Sequence, residues 1–273
     1  MSFSDARVVQ YASAGMILSG LLVTAGASAL FPLRVSLSKV TALNPIPWAP
    51  RGLWGTGQHG KSPIFGLMWF LIYTGEVVYA VALATAAALG DVEMDASMMF
   101  NHASCVFAGL LMSSLWTPLF AENKRWCLLL ATLILVATAC VTLTGAILAK
   151  PFLTTRWFED FGGVFTSIFA GWVTTAAALS VGTLTRVYNR GINKGAQNDE
   201  ETSLFPVVLS VFLSTLAIAF ANPVLPVPLF VALFFVKGIF KDWHVWGASL
   251  LCLLGIAVGT AMVFVYRANG VFW

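Results

Sequence analysis

Long apolar runs separated by short polar segments make up most of the chain. Uncharged runs long enough to cross a bilayer as a helix, about 20 residues, lie at 8–33, 98–121, 126–149, 161–185 and 243–266. One further run, 63–89, contains a single charged residue, Glu76. No run alternates as a barrel strand does, and helices of this length satisfy their own backbone hydrogen bonds in lipid. The pattern therefore predicts an all-α, polytopic membrane helix bundle.

The apolar segment 204–240 has two interpretations, one long helix or two short ones, which give seven or eight spans. The prolines of NPVLPVP, 222–228, remove backbone donors and disfavour helix in the residues before them, so we predict a turn there. Cytoplasmic loops carry an excess of Lys and Arg. If 204–240 forms two helices, all Lys and Arg residues lie on one side of the membrane except Arg7, Lys150, Arg156 and Arg267. With one helix, Lys237 and Lys241 change faces and the bias weakens. We therefore predict eight spans with both termini on the outer face.

Composition supports the assignment to a membrane. Of the 273 residues, 59% are hydrophobic and 10% are charged, whereas soluble domains have about 25% charged residues. The first apolar run is too long for the core of a signal peptide, so we interpret it as a retained helix. The cysteines lie in or at the ends of predicted spans without CxxC spacing, which indicates packing residues rather than disulfides or metal ligands. They are Cys105, Cys127, Cys140 and Cys252.

The loops divide the chain into two groups of helices. We predict a five-helix bundle over 1–188, a polar linker over 189–203, and an extension of about three further transmembrane helices over 204–273. The other long connection, 34–62, contains GTGQHG, which matches the GxGxxG sequence pattern of dinucleotide-binding loops. Because no strand precedes this tract, we interpret it as a loop rather than a nucleotide site.

Few side chains in this sequence carry recognisable chemistry. Motifs for serine nucleophiles, zinc proteases, P-loops and EF-hands are missing from the sequence. The histidines, His59, His102 and His244, are too scattered to predict a metal site. A retinal protein needs a lysine in the middle of a span, and no lysine meets that condition. We therefore predict no catalytic residues and no metal, do not favour an enzyme, and expect no nucleic-acid partner.

An aromatic and polar stripe marks the second span. Trp69, Tyr73 and Glu76 follow at i, i+4 and i+7 and so share one helix face, with Tyr79 one turn further. A charged side chain at the bilayer centre costs about 3 kcal/mol by insertion scales and usually turns inward to a partner or cavity. We therefore expect Glu76 to be protonated, and either to hold a polar group of a ligand or to tie two helices together. Trp172 lies near the centre of the fifth span, away from the interfacial belt that most tryptophans form.

Two other spans carry stripes of small or polar residues. His102, Gly109, Ser113 and Trp116 share one face of the third span, which either packs against another helix or lines a cavity. Gly255 and Gly259 form a GxxxG in the last span. This spacing permits close approach of a second helix, in a dimer or within one chain.

Three of these helices resemble the translocator protein/tryptophan-rich sensory protein (TspO/MBR) family over residues 8–190. Pro63, Phe65, Gly66, Trp69 and Tyr73 stand in the order of that family's second helix. SSLWTPLF, 113–120, is similar to its third-helix motif, with Ser113 in place of an asparagine. GWVTTAAAL, 171–179, is similar to its fifth-helix motif.

The resemblance implies a five-helix fold that binds porphyrins, related tetrapyrroles and sterols. It implies that Trp69 and Trp172 line the ligand cavity, that Ser113 takes the polar position, and that Ala176 admits the ligand. A loose form of the family's sterol pattern falls at Leu184, Tyr188 and Arg190. With the stripes described above, the candidate ligand-binding residues are Trp69, Tyr73, Glu76, Ser113, Trp116, Trp172 and Ala176.

The leading hypothesis is a membrane sensor or carrier that stacks a planar tetrapyrrole or sterol-like molecule between Trp69 and Trp172. Such a ligand enters from the bilayer, with loop 34–62 as a lid. No cofactor is required, and a bound porphyrin or haem-like tetrapyrrole would be present as the ligand. The alternative is a structural or assembly subunit, whose partners would be a second copy or a larger membrane complex. A proton-coupled transporter, suggested by Glu76, and a porphyrin-degrading enzyme, suggested by the family, are further alternatives.

Overall fold

The computed structural model describes residues 3–30, 63–91, 96–121, 124–154, 156–190, 205–234 and 243–270. Within these ranges the chain is helical apart from short turns and contains no strand, which confirms the all-α prediction. The proposed lid 34–62, its GTGQHG tract with His59, and most of the linker 189–203 lie outside the described residues.

Eight helices are present in the described ranges. They are α1 Phe3–Leu30, α2 Pro63–Leu89, α3 Ala96–Ala121, α4 Arg125–Ala149, α5 Trp157–Arg190, α6 Phe205–Ala219, α7 Val227–Phe234 and α8 Trp243–Ala268. Six of them, α1 to α5 and α8, are long and apolar enough to cross a membrane, so the chain is a multi-pass membrane protein. With 15 and 8 residues, α6 and α7 are shorter than the roughly 20 residues of a full span. Within the described residues, the eight predicted spans are therefore six long helices and, in 204–240, two short ones.

The first five helices form a closed ring. α1 packs against α2 and α3, α2 packs against α5, α5 against α4, and α4 against α3. Each helix thus has one face toward the interior and another toward lipid. Large apolar side chains such as Val81, Leu133 and Phe212 are exposed on the outer faces of the helices, where acyl chains replace the protein contacts of a buried residue.

Glycines allow the helices of the ring to approach closely. A Cβ added at Gly75 on α2 would overlap the ring of Phe165 on α5, and one at Gly162 on α5 would overlap the ring of Tyr79 on α2. Small residues at such contacts are the usual means of packing helices in lipid. The pairs also fix the register, because α2 and α5 run antiparallel with Gly75 opposite Phe165 and Tyr79 opposite Gly162.

The predicted break between α6 and α7 is confirmed, and its turn is inserted into the bundle. Residues 220–226 are not helical, as expected for the prolines there. The Asn222 side chain donates from Nδ2 to Ser167 Oγ at 2.8 Å and to the Ala146 carbonyl oxygen at 3.3 Å. The turn is thereby tied to α5 and α4. Leu213, Leu229 and Cys252 belong to the same hydrophobic core as the ring, so the last three helices share that core.

The GxxxG of α8 serves packing within the chain. A Cβ at Gly255 would overlap Ser214 on α6, and one at Gly259 would lie 3.0 Å from the Ala217 carbonyl oxygen. The Ser214 hydroxyl donates to the Leu251 carbonyl oxygen at 2.8 Å across the same contact. Of the two roles predicted for this motif, the structure shows the internal one.

Both termini of the described chain lie at one end of the bundle, as alternating helices require. At this end Arg156 pairs with Asp91 at 3.5 Å, which joins the start of α5 to the end of α2. Arg267, near the end of α8, donates from Nε to the Phe152 carbonyl oxygen at 2.6 Å. Gln10, near the start of α1, donates to the Asp91 carbonyl oxygen at 3.3 Å. We refer to this end as the ion-pair end.

The close contact between α6 and α8 can be tested with two substitutions on one helix. We expect Gly255→Ala to lower the free energy of unfolding by about 1–3 kcal/mol, because the new methyl group collides with Ser214. Gly247→Ala is the matched control, since a Cβ there meets nothing within 4 Å. Thermal unfolding of both variants in detergent measures the difference. Equal stability of the two would contradict the packing of α8 on α6.

Candidate functional site

Aromatic side chains from α2, α3 and α5 belong to one hydrophobic core. We call these side chains the aromatic layer: Trp69, Tyr73, Trp116, Phe169 and Trp172. The Trp69 ring centroid lies 5.3 Å from that of Tyr73 and 6.1 Å from that of Phe169, which meets it edge-on. Edge-on and tilted arrangements at this distance are favourable for aromatic rings. Trp116, Phe169 and Trp172 are fully buried, whereas Trp69 and Tyr73 are partly buried.

The register of α2 and α5 places Trp69 at the level of Trp172. Gly75 lies opposite Phe165. Because the two helices run antiparallel, Trp69, about two turns before Gly75 on α2, is at the same level as residues 171–172, about two turns after Phe165 on α5. Phe169 occupies the interior at this level, because a Cβ at Gly109 on the far side of the ring would lie 3.2 Å from its Cε1 atom. The two indoles thus share one core, with Phe169 against Trp69.

The other predicted ligand-binding residues lie on the inward faces of α3 and α5. Ser113 is buried and donates its hydroxyl proton to the Leu110 carbonyl oxygen of its own helix at 2.8 Å. Ala176 is buried one turn beyond Trp172. Of the sterol pattern, Leu184 packs against the ring core, and the side chains of Tyr188 and Arg190 lie outside the described residues.

A chain of hydrogen bonds joins α2, α3 and α5 next to the aromatic layer. Tyr79 Oη lies 3.0 Å from His102 Nδ1, His102 Nε2 lies 2.9 Å from Thr166 Oγ1, and Thr166 Oγ1 lies 3.5 Å from Glu76 Oε1. We call these four residues the polar chain. The exposed fraction of each is 4% or less, so none of them is hydrogen-bonded to bulk water.

Helix backbones enclose the polar chain. On α4, a Cβ at Gly145 would lie 3.4 Å from Thr166 Cγ2 and 3.7 Å from His102 Cδ2. On α5, Gly162 packs against the ring of Tyr79. The absence of a side chain at Gly162 lets α5 close against Tyr79, whereas the tightest contact of Gly145 is with Cys105 Cβ, 3.0 Å from the position of an added Cβ. Within the described parts of the protein, no three His, Cys, Asp or Glu side chains are grouped as a metal site requires.

Glu76 is the least satisfied member of the polar chain. Its single hydrogen bond, from Thr166 to Oε1, is long, and Oε2 has no hydrogen-bond partner among the described residues. A carboxyl group can accept several hydrogen bonds, and an unpaired charge in the bilayer is expensive. Every Lys and Arg side chain that the structure describes lies at a helix end. The site therefore favours a neutral Glu76 or one that meets an incoming polar group.

The sequence identified part of this site and missed the rest. Glu76 stood out as a charge in an apolar run, and all four residues of the third-span stripe are buried, including His102. Thr166 was not predicted, because threonines in such helices commonly bond their own backbone, as Thr174 and Thr175 do here. The signal that could have found it is its position opposite Glu76 in the α2–α5 register.

The fold and the site define a multi-pass α-helical membrane protein with a polar chain and an aromatic layer inside a five-helix ring. Comparison with protein-family models, with curated proteins and with solved structures finds no match for this chain. The resemblance to the translocator protein family accordingly stays a prediction that depends on the motifs in α2, α3 and α5.

The contribution of the polar chain to stability can be tested at its centre. We expect His102→Leu to cost about 1–3 kcal/mol, because it removes the hydrogen bonds that the imidazole makes with the buried hydroxyls of Tyr79 and Thr166. His244→Leu is the control, because His244 is only half-buried at the start of α8. Chemical unfolding in detergent measures both. If the two variants lose the same small amount, the hydrogen bonds of His102 are not part of the folded protein.

Proposed function

We propose that the protein is a membrane sensor or carrier that binds a planar hydrophobic ligand, of the tetrapyrrole or sterol-like class, against the aromatic layer. The observation that supports this most is the position of Glu76. A fully buried carboxyl group with one unused oxygen lies one turn from Tyr73 and two turns from Trp69, whose rings are only partly buried. Ligand sites combine such apolar area with a few polar groups that fix orientation.

A lateral route to the site is available on α2. Phe70 and Leu71 are exposed toward lipid, Met68 and Ile72 are buried, and Trp69 lies at the border between these two faces. A hydrophobic ligand dissolved in the bilayer would meet the edge of Trp69 first. Rings of this kind provide a large apolar area and defined stacking geometry, so no aqueous entrance is needed.

The face of α2 connects stacking with polar recognition. Trp69, Tyr73 and Glu76 follow along about 10 Å of helix, at 1.5 Å per residue. A flat molecule lying along this face would stack on the first two and reach the carboxyl group with a nitrogen or oxygen atom. A protonated carboxyl donates one hydrogen bond and accepts others, so Glu76 can serve either kind of atom.

The family resemblance supports the same assignment, with one change. In the family pattern an asparagine occupies the position of Ser113, and the hydroxyl proton of Ser113 is used by its own helix. We propose that Glu76 supplies the polar contact in its place. Phe169 lies against Trp69, so stacking a ligand between Trp69 and Trp172 requires the Phe169 ring to turn aside.

Titration with a porphyrin tests the proposed function. We expect protoporphyrin IX to quench the tryptophan fluorescence of protein in lipid nanodiscs saturably. We expect Trp69→Phe to weaken binding by up to about tenfold, since an aromatic contact contributes about 0.5–1.5 kcal/mol. Trp126→Phe is the matched control, because Trp126 is 60% exposed on α4, and it should bind as the unchanged protein does. A sterol added in competition distinguishes the two ligand classes.

Two results would contradict the proposal. Quenching that does not saturate would indicate that the porphyrin only dissolves in the lipid. Equal affinities of Trp69→Phe and Trp126→Phe would place any bound porphyrin away from the aromatic layer. In a well-folded protein, either result favours a structural or assembly subunit of a larger membrane complex.

A further inference from the structure

The polar chain has a property that ligand binding does not require. Its hydrogen bonds are continuous from Glu76, near the middle of α2, to Tyr79, one turn closer to the ion-pair end. We propose that this chain conducts protons between the ion-pair end of the bundle and Glu76. The proposal is independent of whether a ligand binds to the aromatic layer.

The donors and acceptors of the chain can be arranged in one direction without conflict. A neutral imidazole has one donor and one acceptor nitrogen, and both nitrogens of His102 are engaged. With Tyr79 donating to Nδ1, the Nε2 proton is donated to Thr166 Oγ1, and the Thr166 hydroxyl proton is donated to Glu76 Oε1. Every proton in this arrangement points toward Glu76.

A shift of each proton by one step delivers one proton to Glu76. Thr166 gives its proton to Oε1 and takes one from Nε2, while Nδ1 takes the Tyr79 proton. Tyr79 is reprotonated by a proton that enters from the ion-pair end. Each intermediate group keeps its number of protons, the His102 ring stays neutral, and the net change is one proton gained by the Glu76 carboxylate.

The 3.5 Å separation between Thr166 and Glu76 makes that contact the controlling one. Proton transfer needs heavy atoms at about 2.6–3.2 Å, although such contacts are often longer in a resting structure. The other two links already lie in this range. A small turn of the Glu76 side chain would therefore complete or interrupt the chain.

We assign proton entry to the ion-pair end because Tyr79, the terminal donor of the chain, lies nearer that end than Glu76 does. Within the ring, the other titratable side chains near this level are Tyr73 on α2 and Cys105 on α3. The charged side chains described toward the ion-pair end are Asp5 and Arg7 near the start of α1, Asp91 after α2, Lys150 after α4, Arg156, Glu159 and Asp160 at the start of α5, and Arg267 near the end of α8. Glu159 is one turn before Gly162, which packs against the Tyr79 ring, and it pairs with Arg156 at 3.8 Å. Asp160, the other acid in the first turn of α5, accepts hydrogen bonds from the Phe152 backbone N–H and the Thr154 hydroxyl.

Hydrogen–deuterium exchange at Glu76 tests the proposal by infrared spectroscopy of protein in lipid membranes. The carbonyl band of the protonated carboxyl is assigned as the band that Glu76→Gln removes. On transfer to D2O this band shifts when the proton exchanges. We expect Thr166→Val to slow the shift by about a hundredfold, the lower end of what a positioned proton-transfer group contributes, and Thr166→Ser to restore it.

A second buried threonine provides the matched control. Thr138 is fully buried on α4, and its hydroxyl donates to the Ile134 carbonyl oxygen of its own helix at 2.7 Å. Thr138→Val should exchange as fast as the unchanged protein. Tyr79→Phe, which keeps the ring against Gly162 and removes only the hydroxyl, should slow exchange as Thr166→Val does.

Three outcomes would overturn the proposal. One is an exchange rate in Thr166→Val or Tyr79→Phe that equals that of the unchanged protein. Another is equal slowing in Thr138→Val, which would mean that any loss of a buried hydroxyl has this effect. The last is the absence of a Glu76-dependent carbonyl band at every pH. None of these measurements uses a ligand, so their failure is separate from failure of the proposed binding function.

Discussion

The need to accommodate a carboxyl group in the hydrocarbon core governs the interior of this protein. An ionised side chain there is expensive, and a ring of helices that encloses an acid removes it from lipid. Here α1 to α5 form that ring, and Glu76 is completely buried within it. Glycines on α4 and α5 bring those helices close to the polar chain. The arrangement of the helices and the chemistry of the site thus have one common cause.

The two layers inside the ring suit different tasks because they differ in polarity. The aromatic layer offers apolar area at a border with lipid, and the polar chain offers hydrogen bonds that are sealed from water. Tyr73 lies one turn from both Trp69 and Glu76, so α2 carries both tasks on one face. A ligand that contacts Glu76 would alter the Thr166 link, which is the longest in the polar chain. The two proposals therefore meet at a single side chain, Glu76, through which ligand binding would influence proton movement.

Much of the fold could be predicted from residues that act locally. The length of the apolar runs predicted the long helices, and the prolines of 222–228 predicted the break before α7. The distribution of Lys and Arg predicted that both termini lie at the same end of the bundle. Two short helices were one of the two interpretations of 204–240, but that neither reaches the length of a span could not be predicted, because their apolar character is continuous with that of true spans. The partners of Gly255 and Asn222 depend on tertiary contacts between distant helices. For the same reason the sequence indicated Glu76 but not Thr166, whose role comes only from the helix that faces it.

The orientation of Glu76 is the claim on which the site and both proposals depend. A spin-label scan of residues 70–83 in lipid vesicles, in a cysteine-free background, measures it directly through the accessibility of each nitroxide to oxygen, which concentrates in lipid. The structure predicts high accessibility at Val77, Val78 and Val81, which are exposed, and low accessibility at 76, 79 and 83, which are buried. An accessibility at 76 as high as that at Val77 would show that the carboxyl group faces lipid, and would contradict the enclosed site.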